Sequence, residues 1–267
     1  MSRRATTYST YLSVPQLLDL QSPRDGALEH DELLFIVIHQ TYELWFKVLL
    51  HEFARAGERL RTAASHDALA TLGRIRTIFK TLVSQVDILE TMTPLQFGTF
   101  RDRLDAASWF QSAQFRELEI VLGRRDRTML ANFAADSAEH ARLDAALARP
   151  SVWIDTLAFL AARGHAVPHS VLRADPSEPY APSDSQRDKV QGALLHAYRD
   201  DAEAALVLER LVDIDEGLQE WRYRHVKMVE RTIGRKSGTG GSSGAEYLAS
   251  TLFRPVFPDL WSVRDRF

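Results

Sequence analysis

The chain has 267 residues, a formal net charge of −3 and no cysteine. That length allows a large buried core, and so slight a charge imbalance gives no general attraction for nucleic acid or an anionic membrane. Without cysteine there is no disulfide, thiolate iron ligand, Cys-based zinc site, iron–sulfur cluster or covalent c-type haem, so any metal is held by His, Asp, Glu or Tyr.

In chain order, the N-terminal MSRRATTYSTYLSVP lacks the apolar stretch of a signal peptide, and no run approaches ~18 uninterrupted apolar residues, so a soluble cytoplasmic protein with no membrane span is expected. Asp31 can cap a helix running to about Ala63, and Ser65 offers the next cap, before LATLGRIRTIFKTLVSQVDILETM. Thr93-Pro94 is a cap followed by proline at the first helical position, opening PLQFGTFRDRL. SWFQSAQFRELEIVLG reads as a helix stopped at Gly123. Shorter helices are expected over 137–148 and 151–163, and the Pro/Ser-rich stretch 174–186 reads as a surface loop. One long helix follows from about Gln186 to Thr232. Strand, hairpin and repeat signals are lacking. The expected fold class is all-α, a large helical bundle with long core helices in a single domain over 1–267.

Two histidines stand out. In FIVIHQTYELWFKVLLHE, His39 shares a helical face with Phe35, Ile36, Tyr42, Glu43 and Phe46; it is either a packed histidine with one hydrogen bond or part of a pocket wall. In LQEWRYRHVKMVERTIGRK, His225 shares a face with Leu218, Trp221, Arg222, Met228 and Val229, while Arg224, Lys227 and Arg231 project elsewhere. A histidine on an apolar face with arginines close by is either a satisfied core histidine or one suited to a buried flat anionic cofactor such as haem. Other chemistries fail on spacing. No Glu-x-x-His occurs, so a di-iron bundle is unsupported, and His51-Glu52 lacks the second histidine of H-E-x-x-H. SGTGGSSG, from Ser237, has neither a dinucleotide fingerprint nor a Walker lysine; it is a flexible linker or a loop presenting backbone N–H groups to an anion.

Taken together, HQTYELWFK, the LETMTP–FRD block from Leu89 to Asp102, FQS-x-QFRELE from Phe110, WRYRH from Trp221 and GTGGSSG from Gly238 resemble the tryptophan 2,3-dioxygenase family, in the family's order and over nearly the whole chain. The resemblance implies an all-α homotetramer with one haem b per subunit, ferrous when active. It also implies insertion of both atoms of O2 across the indole C2–C3 bond of L-tryptophan, giving N-formylkynurenine, the kynurenine-pathway reaction. His225 falls on the family's proximal haem ligand and metal-binding residue, and His39 on the distal histidine that hydrogen-bonds the indole N–H. Phe35 falls on the pocket wall, Arg101 on the arginine that clamps the substrate carboxylate, and Thr239 on the residue that helps hold the ammonium group. Tyr8 and Tyr11 match a pair on an N-terminal arm, within 1–25, that reaches a neighbouring subunit's pocket. One departure bears on chemistry: SWFQS stands where the family usually reads SGFQS, so Trp109 occupies a distal-pocket glycine position. The alternative that follows is a related haem monooxygenase acting on a substituted tryptophan or another aromatic amino acid in secondary metabolism. A non-catalytic haem-binding or sensor protein is a third reading.

Overall fold

The computed structural model describes residues 6–22, 29–104, 112–234, 249 and 252–267. All regular structure among them is helical, with no strand. Two short helices, α1 (Tyr8–Tyr11) and α2 (Val14–Leu18), precede the long α3 (His30–Arg61) and α4 (Ser65–Leu89). α5 (Pro94–Gly98) leads into a 3-10 turn over Arg101–Leu104. Then come α6 (Ala113–Leu122), a second 3-10 turn over Arg127–Asn132, α7 (Ala138–Leu147), α8 (Val152–Ala162) and the short α9 (His169–Leu172). α10 (Asp184–Asp200), α11 (Ala202–Ile233) and a C-terminal pair of turns over Pro258–Arg266 complete the chain.

The bundle is organised by α4, which packs extensively against both α3 and α11. The reason is visible in their apolar stripes. On α3 the buried residues Ile38, Tyr42, Phe46, Leu49, Phe53, Ala56 and Leu60 recur every three or four positions, and on α4 Leu72, Ile75, Phe79, Leu82, Val86 and Leu89 do the same. On α11 the stripe runs Leu211, Ile214, Leu218, Trp221 and reaches His225. α3, and the stretch 138–162 that covers α7 and α8, are long and apolar enough to cross a membrane. In α3 the stripe is the one that fills the bundle core, and buried Glu32 and Glu52 lie on the same helix.

Glycine permits close approach at one point of the α3–α8 contact. A Cβ on Gly57 would stand 2.4 Å from Oδ2 of Asp155, the atom that accepts a 2.7 Å hydrogen bond from Arg61. Alanine is the better helix former by about 1 kcal/mol, but displacing a buried carboxylate from its guanidinium outweighs that gain. Gly57→Ala is therefore expected to lower stability by ~1–3 kcal/mol, read as a fall in the thermal midpoint; an unchanged or raised midpoint would contradict the contact.

Several element boundaries differ from those read in the sequence. α3 starts at His30, before Asp31: the Glu29 backbone N–H donates to Glu32 (3.2 Å), and Arg103 binds both Glu29 and Glu32 (3.1 and 3.4 Å). Ser65 opens α4 without capping it, because its hydroxyl donates to Glu203 at 2.6 Å. PLQFGTFRDRL divides into α5 and the 3-10 turn. Ser112 has extended backbone and accepts from the Phe115 N–H, so α6 begins at Ala113; the rest of SWFQS lies outside the described residues.

The largest difference is the long helix from Gln186, which is two helices meeting at Asp201. Its backbone is extended (φ −133°, ψ 90°), and its carboxylate caps α11 at the Ala204 N–H, receives Arg163 at 2.6 and 2.7 Å, and lies 3.3 Å from His165. Hydrogen bonding from Arg163 holds the Asp201 carboxyl below the usual carboxylate range. A depressed native pKa contributes stability above the unfolded value and loses it as pH falls below that value. Acidification below about pH 4 should thus destabilise the native protein more steeply than the Asp201→Asn variant, as measured by denaturation midpoints against pH.

Candidate functional site

His39 is the tenth residue of α3 and is half-buried. Its Nδ1 is 2.7 Å from the carbonyl oxygen of Phe35 one turn earlier. A carbonyl only accepts, so Nδ1 carries the proton and Nε2 carries the lone pair. The imidazole packs against the Phe35 ring at 4.0 Å between centroids. Burial lowers its pKa, against the raising effects of the Phe35 carbonyl and Glu43, which keeps the ring neutral.

His225 comes from α11, on the far side of the same seam. It is buried, and its ring is stacked nearly parallel on Trp221, at 5.3 Å and 6°. Burial first, and His39 second, push its pKa down to about 4. Each histidine thus lies within the other's electrostatic reach, and both present neutral imidazoles to a region walled by aromatic rings. Trp221 is itself fixed by Phe115 of α6 at 5.2 Å and by Tyr42 of α3 at 6.3 Å. The Tyr42 hydroxyl donates to the carbonyl of Leu82 (3.0 Å), locking α3 to α4 beside the site.

A second aromatic group closes the His39 end. Phe35 meets Phe97 at 5.8 Å and Phe100 at 5.5 Å, and the latter two meet edge to face at 5.4 Å. Phe97 is on α5, and Phe100 directly precedes Arg101, which opens the 3-10 turn and is half-buried. The turn is held in place by Arg103 through Glu29 and Glu32 at the start of α3. Gln114 ties α6 to α3 one turn beyond His39, donating to the Glu43 carbonyl (2.9 Å) and carboxylate (2.7 Å). Phe100, Tyr42 and Gln114 are supporting residues that the motif reading did not single out. Their signal in the sequence is adjacency: one residue before Arg101, three after His39, and within FQS-x-QF.

The remaining sequence-predicted residues fall differently. Tyr8 and Tyr11 on α1 are 79% and 77% exposed and are not brought to the site within one chain. Trp109 and Thr239 lie outside the described residues. The arginines around His225 are matched with protein carboxylates: Arg224 bonds Asp87 and Glu90, Arg231 pairs with Glu90, and buried Arg222 meets Glu119 at 3.3 Å. Chemically, the site offers one buried neutral nitrogen donor on an apolar aromatic face, within electrostatic reach of a second imidazole whose Nε2 is an acceptor. The first is the kind of ligand that a haem iron takes. The second suits an N–H donor.

The family model described as Tryptophan 2,3-dioxygenase matches residues 1–145 and 183–266. A tryptophan 2,3-dioxygenase of Anaeromyxobacter sp. (strain K) is 59% identical over 97% of this chain and 96% of its own length. Those of Herpetosiphon aurantiacus and Saccharopolyspora erythraea are 51% and 41% identical, each over 98% of this chain and over 98% and 93% of their own lengths.

Proposed function

Since the chain belongs to the tryptophan 2,3-dioxygenase family, we propose that it is a haem-dependent dioxygenase that adds both atoms of O2 across the indole C2–C3 bond of L-tryptophan, giving N-formylkynurenine. The observation that carries this reading is the pairing of two neutral imidazoles, buried His225 and half-buried His39, beside one aromatic enclosure. When bound, haem b supplies an iron centre for O2 chemistry, and His225 is the residue that holds it.

The chain's own contribution is to bind, orient and keep dry. The Phe35 carbonyl fixes the His39 tautomer, so Nε2 accepts the indole N–H and sets the ring's rotation in the pocket. Phe35 and Phe97 give the indole an apolar wall. Arg101 receives the substrate carboxylate as a bidentate fork, and Thr239 helps hold the ammonium group. Two anchored ends and a fixed ring convert binding energy into alignment with O2. His39 acts by position rather than as a base, because an indole N–H is a very weak acid.

A homotetramer in the cytoplasm is part of the same reading. It is supported by the N-terminal arm: α1 and α2 expose Tyr8, Tyr11, Leu17 and Leu18 without covering them on their own body, although Gln21 and Gln40 anchor the arm beside α3 with a 2.6 Å hydrogen bond. Burial of that apolar surface on a neighbouring subunit would stabilise the assembly and bring Tyr8 and Tyr11 to its pocket.

The test is the mass of the product formed from L-tryptophan and O2 by the reduced holoenzyme. Substrate plus two oxygen atoms is expected. Substrate plus one would shift the reading to a monooxygenase, with Trp109 as the residue responsible. The carboxylate clamp has its own measurement: Arg101→Ala should weaken L-tryptophan binding by ~2–5 kcal/mol while leaving the binding of an indole without a carboxylate nearly unchanged. Equal losses for both ligands would make Arg101 a structural residue.

A further inference from the structure

A cavity of about 240 Å3, sharing no residue with the histidine site, lies between the start of α8, α9 and the strap that leads to α10. Most of its wall comes from residues 150–182, which fall between the two stretches matched by the family model. Its distinctive member is Arg125, only 6% exposed. The guanidinium donates through Nη1 to the carbonyls of Leu147 (2.7 Å) and Pro176, and through Nη2 to the carbonyl of Arg149 (2.7 Å). That uses three of its five N–H groups. Nε–H and one hydrogen on Nη2 are left over, and the Nε/Nη2 edge of a guanidinium is one that receives a carboxylate as two parallel hydrogen bonds. Among the described residues no carboxylate bonds it. Asp155, whose charge acts on it, is already held by Arg61 at 2.7 Å.

The rest of the lining specifies more than an anion. Ile154, Val171 and Leu172 provide apolar surface. Asp175 and Glu178 also line the cavity, but both are exposed on the strap, so positive charge sits deep and negative charge sits at the mouth. We propose that this cavity binds a small zwitterionic amino acid with an apolar side chain, its carboxylate inward on the open edge of Arg125 and its ammonium toward Asp175 and Glu178. The site is separate from the one assigned to the aromatic substrate.

The test is calorimetric titration of the full-length holoenzyme with L-leucine, 4-methylpentanoate (no ammonium) and L-leucinamide (no carboxylate). Leucine should bind saturably at one site per chain. Leucinamide should bind roughly 30-fold more weakly or not at all, the consequence of leaving a buried cation unmatched. Ala181→Trp, at an exposed position of the lining, fills the mouth without touching Arg125 and should abolish binding, whereas Arg101→Ala should leave it intact. The double variant Asp175→Asn, Glu178→Gln should bring leucine down to the affinity of 4-methylpentanoate. No saturable leucine binding up to about 10 mM, or binding that survives Ala181→Trp and disappears in Arg101→Ala, overturns the assignment. The second outcome would place the amino acid at the histidine site instead.

Discussion

His225→Ala is expected to yield a folded protein that purifies with little or no haem, while His39→Ala keeps its haem and loses substrate alignment. The asymmetry follows from the two imidazoles' surroundings. His225 is buried on the stripe of α11 and stacked on Trp221, and its low basicity keeps a lone pair available for a metal at any physiological pH. His39 spends its Nδ1 proton on Phe35 and offers Nε2 to whatever N–H donor enters. Removing an imidazole from this packed seam also leaves a cavity, so a moderate fall in stability should accompany the first variant. Haem content by absorbance at the Soret band separates the two roles, since packing loss alone would not strip haem from one variant and spare the other. Haem retained by His225→Ala and lost by His39→Ala would exchange the two assignments.

The second large effect is expected at Asp215. This carboxylate is fully buried on α11, ten residues before His225, and accepts four hydrogen bonds: from the backbone N–H groups of Val256 and Phe257 (both 3.1 Å), the Trp261 indole (3.0 Å) and Gln219 (3.1 Å). It staples the C-terminal segment to the helix that carries His225, with Phe257 buried against Trp153 at 5.9 Å. Asp215→Ala removes the acceptor of four donors, the Phe257 N–H buried and the others half-buried, at a cost of ~3–5 kcal/mol, or a midpoint lower by roughly 10 °C in a chain of this size. Asp215→Asn keeps one acceptor oxygen and should lose less. Limited proteolysis should then cut the C-terminal segment faster in the alanine variant. Equal midpoints for wild type and Asp215→Ala would mean that the staple carries no weight.

Most helices were legible in the sequence because their signals are local. Ser137, Ser151 and Ser183 each accept a backbone N–H at the start of a helix, and Thr93-Pro94 forms the reciprocal cap its spacing implies. What stayed hidden depends on partners far along the chain. The break at Asp201 has only a faint local mark, an aspartate able to cap at Ala204, and is held as well by Arg163, 38 residues earlier. The arginines near His225 read as cations available to an anionic cofactor, but Arg224 finds Asp87, 137 residues away. Placement of His39 within reach of His225 has the same character. Periodicity puts each on an apolar face and says nothing about whether the faces meet, which only the resemblance to a known family implied.

The seam of α3, α4 and α11 also sets where this chain can change length. One residue inserted between Asp215 and His225 would rotate everything beyond it by about 100°. With the Asp215 end clamped, that turn would carry His225 out of the pocket and push charged side chains into the core. Deletions there are equally costly. The segment joining α9 to α10 has no such phase to keep, because residues 174–182 form no helix and touch the body at a few points such as Tyr180 on Asp259. Insertions and deletions among relatives should therefore gather in that part of the chain and spare α11. The stretch left unmatched by the family model, 146–182, contains this segment together with α8 and α9.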